Sequence, residues 1–337
     1  MMKRSFQEIY EQLYQILRNY DFPEERARLI AQTHTQSSCD GVYSHGLNRF
    51  PSFIDYVERG LIDVAAEPEK VGSFGVLERW DGNLAPGVSN AHHCMERAMT
   101  LAREHTIGCV ALRNTNHWMR GGTYGWQAAD AGKIALCFTN TKSNMPPWGG
   151  RENRIGNNPF IIAIPREKGH VVLDMATSQF SLGKMNTYKL NNELLPFAGG
   201  WDSEGNLTKD PGKILATGHA LPAGYWKGSA LTIVLDMLAA LLSDGNPTHN
   251  IDDDEEIAIS QVFICIDPEK FADGNLKNQL LDEIIDHVHD VPPIQDGERT
   301  YYPGERTLAT RKDHLEYGIP VSESVWKNIE RLSSQSC

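Results

Sequence analysis

The sequence has no CxxC pair, no GxGxxG after a strand, no GxxxxGK[ST] and no surplus of positive charge, and each absence removes a class of protein. Without the two glycine motifs, neither a Rossmann nor a P-loop site can be read. Cys39, Cys94, Cys109, Cys137, Cys265 and Cys337 lie scattered, mostly in apolar runs, and read as reduced, buried thiols rather than a disulfide framework. Against 44 acidic residues there are 32 basic ones, a net charge of −12, so the overall field repels nucleic acid and anionic lipid. No basic recognition stripe suggests a DNA-binding regulator. An anionic substrate or cofactor must therefore meet local cations. No apolar run approaches the ~20 residues of a membrane helix, and Met1-Met2-Lys3-Arg4-Ser5-Phe6 leads into charged residues instead of a signal segment. A cytoplasmic protein with no membrane partner is expected. Metal ligands are sparse as well. His92-His93 and His287-Val288-His289 lack a third ligand, and Asp252-Asp253-Asp254-Glu255-Glu256 lacks the spacing and central glycine of a calcium loop, so no metal site is expected and the acidic run reads as a solvated loop.

What is present is ordinary globular material: 337 residues, 40% hydrophobic, enough for a large core and two domains. Ser5 and Glu8 have capping-box spacing ahead of Ile9, Leu13, Ile16 and Leu17, which predicts the first helix. Pro23 starts a second helix to about Gln36, followed by a polar loop over 37–46. Ser89 caps a helix carrying Ala91, Cys94, Met95, Ala98, Leu101 and Ala102, which stops at Gly108 before a short strand, 109–112. Another helix covers 124–131. The apolar runs 134–138, 160–164, 171–175 and 262–266 read as buried strands. Residues 229–242 are apolar on nearly every side, the pattern of a helix inside a core. Helices at 276–289, 304–317 and after Ser322 close the chain. The expected class is α/β: a non-Rossmann mixed-sheet core (66–289) that binds cofactor and substrate, flanked by a helical domain built from both terminal segments, 1–65 and 290–337.

Three constellations are able to carry chemistry. In Val42-Tyr43-Ser44-His45-Gly46-Leu47-Asn48-Arg49 an imidazole and a guanidinium lie four apart, on one face if the segment is helical. Ketone reduction creates an alkoxide that must be protonated as hydride arrives, and histidine is the side chain best matched to that task. Arg49 offers the two parallel donors a carboxylate takes. A solvated helix start explains the same residues. A Ser44/His45 nucleophile pair is set aside, because neighbouring side chains diverge and no GxSxG elbow surrounds the serine. The second cluster, Asn114 to Thr123, places His117 and Arg120 between strand and helix, where substrate-holding groups or a plain turn are equally at home. In the third, Gly224-Tyr225-Trp226-Lys227-Gly228-Ser229 precedes the apolar helix, a place for an anion, with Lys227 as point charge and Trp226 for ring stacking, or for a simple cap. Asp236 within that helix, unless it lies at an edge, needs a buried partner that the sequence does not name.

Gly41-Val42-Tyr43-Ser44-His45-Gly46, Asn116-His117-Trp118-Met119-Arg120-Gly121-Gly122, Met145-Pro146-Pro147-Trp148-Gly149 and Gly224 to Ser229, in that order, resemble the type 2 malate/L-lactate dehydrogenase family nearly end to end. The resemblance implies NADH-dependent reduction of a small 2-keto acid by a homodimer, with NADPH also open, in a fold unlike Rossmann that holds the cofactor extended. His45 matches the family's proton donor, with Ser44, Arg49, His117 and Arg120 as substrate-holding candidates. The family's cofactor stretches carry over to His170, Val171, Val172, Leu173, Asp174, Met175 and Ala176, to Trp226 and Lys227, and to Gly304, Glu305 and Arg306. His170 and Ala176 depart from the pattern, and Arg306 stands where a close relative has an acidic residue. Trp118 agrees with a sugar-acid branch of the family, which implies a 2-keto sugar acid. Malate, lactate, sulfolactate or ureidoglycolate dehydrogenases of the same family are the alternatives. A catalytically silent sugar-acid binding protein is another, and the intact His45 and Arg49 speak against it.

Overall fold

The computed structural model describes residues 2–334. Strand β1 (Met2–Arg4) leads into α1 (Phe6–Asn19), whose Ser5 and Glu8 close the expected capping box. Helix α2 (Glu24–Cys39) runs three residues past the expected end. Ser37 Oγ donates to Thr33 O and Ser38 Oγ accepts the Leu47 N–H, so serines that read as a polar loop are buried, hydrogen-bonded members of a last helical turn. Helix α3 (Phe50–Glu58) completes the first segment.

Strands β2 (Glu69–Phe74) and β3 (Leu77–Asp81) form a hairpin. Helix α4 (Gly87–His105) begins three residues earlier than expected, with Pro86 at the cap position, and Ser89 Oγ instead donates back to Pro86 O. β4 (Ile107–Thr115) is longer than the apolar run suggested, since it is paired on both edges. Then come α5 (Gly122–Asp130), β5 (Ile134–Thr139), β6 (Phe160–Ile164) and β7 (Val171–Met175). A small lobe not foreseen in the sequence, α6 (Leu182–Leu190), β8 (Gly200–Trp201), β9 (Leu207–Thr208) and α7 (Pro211–Thr217), gathers Met145, Ile155, Phe180, Met185, Leu195 and Ile214 into its own apolar cluster. Helix α8 (Trp226–Ser243), strand β10 (Ile259–Ile266) and α9 (Gly274–His289) follow, then α10 (Glu305–Tyr317), β11 (Ile319–Val321) and α11 (Glu323–Ser334).

Seven strands make one mixed sheet in the order β2-β3-β4-β10-β5-β6-β7, antiparallel except for the β3–β4 pair. The fold is therefore a non-Rossmann α/β core. On one face α4 and α5 bury Met95, Trp118, Tyr124 and Phe263 in a shared cluster, and each such side chain contributes roughly 1.5–3 kcal/mol. The ends of the chain meet elsewhere: β1 pairs with β11, and Ile9, Leu13, Ile30 and Phe50 pack with Ile319, Trp326 and Ile329. Of the cysteines, five are described and free; Cys39, Cys94, Cys137 and Cys265 are buried and Cys109 partly so, while Cys337 lies outside the described residues.

Helix α8 covers the opposite face of the sheet through Leu235 and Ala239, and here the expectation fails. Only that side is buried. Val234, Met237 and Leu241 are exposed, Leu241 at 71%. With 18 residues and mean hydropathy 1.3, α8 is also long and apolar enough by composition to cross a membrane, contrary to the count of apolar runs. Its packing ties it to the sheet instead. Asp236, the acid without a named partner, is half-buried and accepts from Asn140 Nδ2 at 3.0 Å and from the Thr248 N–H at 2.9 Å.

Candidate active site

Two 3₁₀ turns, Tyr43–His45 and Leu47–Arg49, carry His45 and Arg49 away from the end of α2. Gly46 separates them, so they do not share one helical face as the spacing suggested. A Cβ at Gly46 would lie 2.2 Å from Ser38 Oγ and 2.9 Å from His34 O, which explains why the position has no side chain. His34 Nδ1 donates to Gly46 O at 3.1 Å and fastens the turn from below. Burial brings the His34 ring down to about 4, against the raising effect of that hydrogen bond, so it is neutral at ordinary pH.

The Ser44 and His45 side chains do not diverge. In the tight turn Ser44 Oγ meets His45 Nδ1 at 3.1 Å, which fixes the ring and leaves Nε2 with no hydrogen-bond partner among the described residues. The His117 ring stacks on it, centroids 5.9 Å apart and planes 16° from parallel. His117 Nδ1 accepts the Met119 N–H at 2.9 Å, so the neutral ring carries its proton on Nε2 and is a donor there. Burial, aided by Arg49 and His45, holds His117 well below the usual histidine range and therefore neutral. For His45 burial is again the main cause and lowers the pKa; Asp174 pulls it back up, while Arg49 and Arg120 add to the lowering. The two rings thus differ: His117 is held as an Nε2–H donor, and His45 is the one with a carboxylate, Asp174, opposing the effect of burial.

Arg120 sits behind this pair. It is 5% exposed and ion-paired with Asp40, on which Arg311 also closes with two hydrogen bonds of 2.7 and 2.8 Å. Its Nε lies 3.8 Å from Asp174 Oδ2, and that oxygen accepts the Gly122 N–H at the start of α5. Burial pushes Asp40 up, but Arg311 and Arg120 outweigh it and the carboxylate stays ionised. Arg120 Nη1 donates to Asp40, while its buried Nε has no hydrogen-bond partner among the described residues, so this substrate-holding candidate is braced from behind with a donor left over. Arg49 is different: it lines a cavity with Ser52, Phe53, Tyr56, Ile62, Asn116, His117 and Met119. In that lining Asn116 Oδ1 is a buried acceptor without a partner.

The three stretches carried over for the cofactor come together along β7. Val172 N–H donates to Pro303 O at 2.9 Å, and Gly304, at φ +97°, passes so close that a Cβ would lie 3.1 Å from Val172 N. At the other end the Ala223 N–H donates to Thr177 O at 2.7 Å, which sets Trp226 and Lys227 on the first turn of α8 beyond Ala176. Trp226 is 61% exposed, and the N-terminal dipole of α8 with Lys227 suits a pyrophosphate. Thr177 Oγ1 is buried without a partner, and β7 is an edge strand whose main chain at Asp174 faces the same way as that of Val172. These groups fit an extended dinucleotide. The side chains of His170, Glu305 and Arg306 are engaged elsewhere: His170 with the Arg166 N–H and Asp130, Glu305 with His289, Arg299 and the Tyr302 N–H, and Arg306 over the Tyr301 ring. At those three positions the backbone is the part left free to meet a cofactor, and His170 and Arg306 are two of the positions that depart from the family pattern.

Sequence reasoning missed Asp40, Arg311, His34 and Glu256. Asp40 adjoins the first motif, but Arg311 is 271 residues away and no spacing joins them. Glu256 was read as part of a solvated loop; instead the Lys142 N–H donates to it at 3.4 Å, and its neighbour Glu255 pairs with Arg59 at the end of α3.

A family model described as malate/L-lactate dehydrogenase matches residues 4–330. A relative from Salmonella paratyphi A, named 2,3-diketo-L-gulonate reductase, is 43% identical over 333 residues, 98% of this chain and 100% of its own length. The malate dehydrogenase of Entamoeba histolytica superposes with a TM-score of 0.94 at 25% identity, covering 99% of this chain and 97% of that one. The sulfolactate dehydrogenase of Methanocaldococcus jannaschii gives 0.90 at 27%, covering 98% and 96%.

Proposed function

The chain belongs to the malate/L-lactate dehydrogenase family and is an oxidoreductase acting on hydroxyl or keto groups, and from that premise we propose that it reduces 2,3-diketo-L-gulonate at its 2-keto carbon to 3-dehydro-L-gulonate, with NADH as donor. The full-length 43% identity to the diketogulonate reductase of Salmonella paratyphi A is the observation that supports the substrate. Bound NADH would supply the hydride. Arg49 takes the substrate carboxylate, His117 Nε2–H donates to the keto oxygen, and His45 Nε2–H delivers the proton as the alkoxide forms. Ser44 orients the His45 ring, and the Arg120–Asp40–Arg311 cluster holds the loops that carry it. In this reading the enzyme is a cytoplasmic homodimer in which a second copy covers the outer face of α8, where Val234, Met237 and Leu241 stand exposed.

A panel of 2,3-diketo-L-gulonate, oxaloacetate, pyruvate, sulfopyruvate and oxalurate, with NADH and NADPH and read at 340 nm, tests this. Diketogulonate with NADH should give the highest kcat/KM by at least about tenfold. A higher value for any of the other acids hands the substrate to another member of the family, and inertness toward all five removes the activity.

A further inference from the structure

The cavity beside His117 has more to it than a carboxylate clamp. Arg49, Ser52, Tyr56 and Arg59 recur at three- and four-residue intervals along the 3₁₀ turn and α3, which places them along one side of that segment. The first three line the cavity. The acidic loop packs across the same side. Glu255 pairs with Arg59, the Asp253 carbonyl accepts from Lys142 Nζ, and the Lys142 N–H donates to Glu256 Oε1 at 3.4 Å. Those three ties hold Glu256 within electrostatic reach of Tyr56 and Arg49, at left-handed φ +49°, a conformation uncommon for glutamate that the loop maintains. Its carboxylate forms no ion pair within 4 Å among the described residues, since Lys142 Nζ is turned to Asp253 and Arg49 stays beyond contact. In the cavity lining itself Asn116 Oδ1 offers a further acceptor, buried and with nothing donating to it among the described residues.

Two acceptors near a single guanidinium define what fits. A substrate carboxylate is drawn to Arg49. Whatever extends past it should donate hydrogen bonds, and a second anion would be repelled by a half-buried carboxylate close by. We propose that Glu256, together with Asn116 Oδ1, is the specificity-determining wall of the substrate cavity, accepting hydrogen bonds from a hydroxylated tail and excluding 2-keto acids that carry a second negative group. Burial raises the Glu256 pKa, with Arg49 and Lys142 opposing it, as expected of a carboxylate short of partners. This rests on the reading of the chain as a 2-keto acid reductase and adds the selection rule for its tail.

The test is Glu256→Gln, which keeps size and removes charge, assayed with NADH on diketogulonate, oxaloacetate and pyruvate. Relative to pyruvate, which has no tail to read, oxaloacetate should gain about tenfold in kcat/KM and diketogulonate should lose about tenfold, mainly through KM. Unchanged ratios overturn the proposal. So does an equal loss on all three substrates, which is the mark of a merely structural role. If the wild type oxidises NADH with none of them, the proposed function fails by itself. Selectivity is then read from thermal stabilisation by L-gulonate against L-malate: the variant must gain with malate relative to wild type, and no gain overturns it.

Discussion

At the scale of single residues, the proposed site rests on two histidines to which different tasks are assigned. His117 is locked neutral by burial and by the Met119 N–H, whereas His45 keeps one nitrogen for chemistry and has Asp174 as the only group pulling its pKa upward. The sign follows directly. Reduction needs His45 protonated, so kcat/KM for reduction is full at low pH and falls as pH rises through a midpoint below the ordinary 6.5. Asp174→Asn removes the upward pull and should move that falling limb to lower pH, a shift read from the kcat/KM profile of the variant. An upward shift would contradict the assignment of Asp174 as the group that supports the protonated ring.

At the scale of elements, the catalytic turn is held by fit rather than by regular structure. Gly46 leaves no room for a methyl group between the turn and α2, and Gly46→Ala must push His45 and Arg49 outward together. We expect that variant to lose at least about 1–3 kcal/mol of stability and to lose activity by more than its unfolded fraction explains, checked by urea denaturation beside kinetics. Such contacts mark the limit of what the sequence reveals. The capping box at Ser5 and Glu8 and the strands at 160–164 and 171–175 were legible because they rest on local spacing. The end of α2 was not, because Ser37 and Ser38 are satisfied inside the fold and only there cease to look like loop residues. His45 and His117 were each visible within a motif, yet their stacking, and the Asp40–Arg311 pair behind them, arise from segments far apart in the chain. Glu256 hid in an acidic run whose outer members really are exposed.

For the whole molecule, α8 joins the cofactor stretch to an uncovered apolar face. Its first turn carries Trp226 and Lys227, and two turns on it presents Val234, Met237 and Leu241 to solvent. A second copy seated there would bury that face. The double variant Met237→Asp, Leu241→Asp should therefore run as a monomer in light scattering at micromolar concentration where the wild type runs as a dimer; a wild type that is itself monomeric would contradict the assignment. The pairing of β1 with β11 closes the terminal segments on each other, and the buried Asp40 cluster braces the loops around His45. The most direct measurement is NADH oxidation with saturating 2,3-diketo-L-gulonate by the wild type and by His45→Gln. The account predicts turnover by the wild type and a loss of about 10² to 10⁴ in kcat for the variant, with cofactor affinity retained. A variant that turns over at the wild-type rate would contradict it.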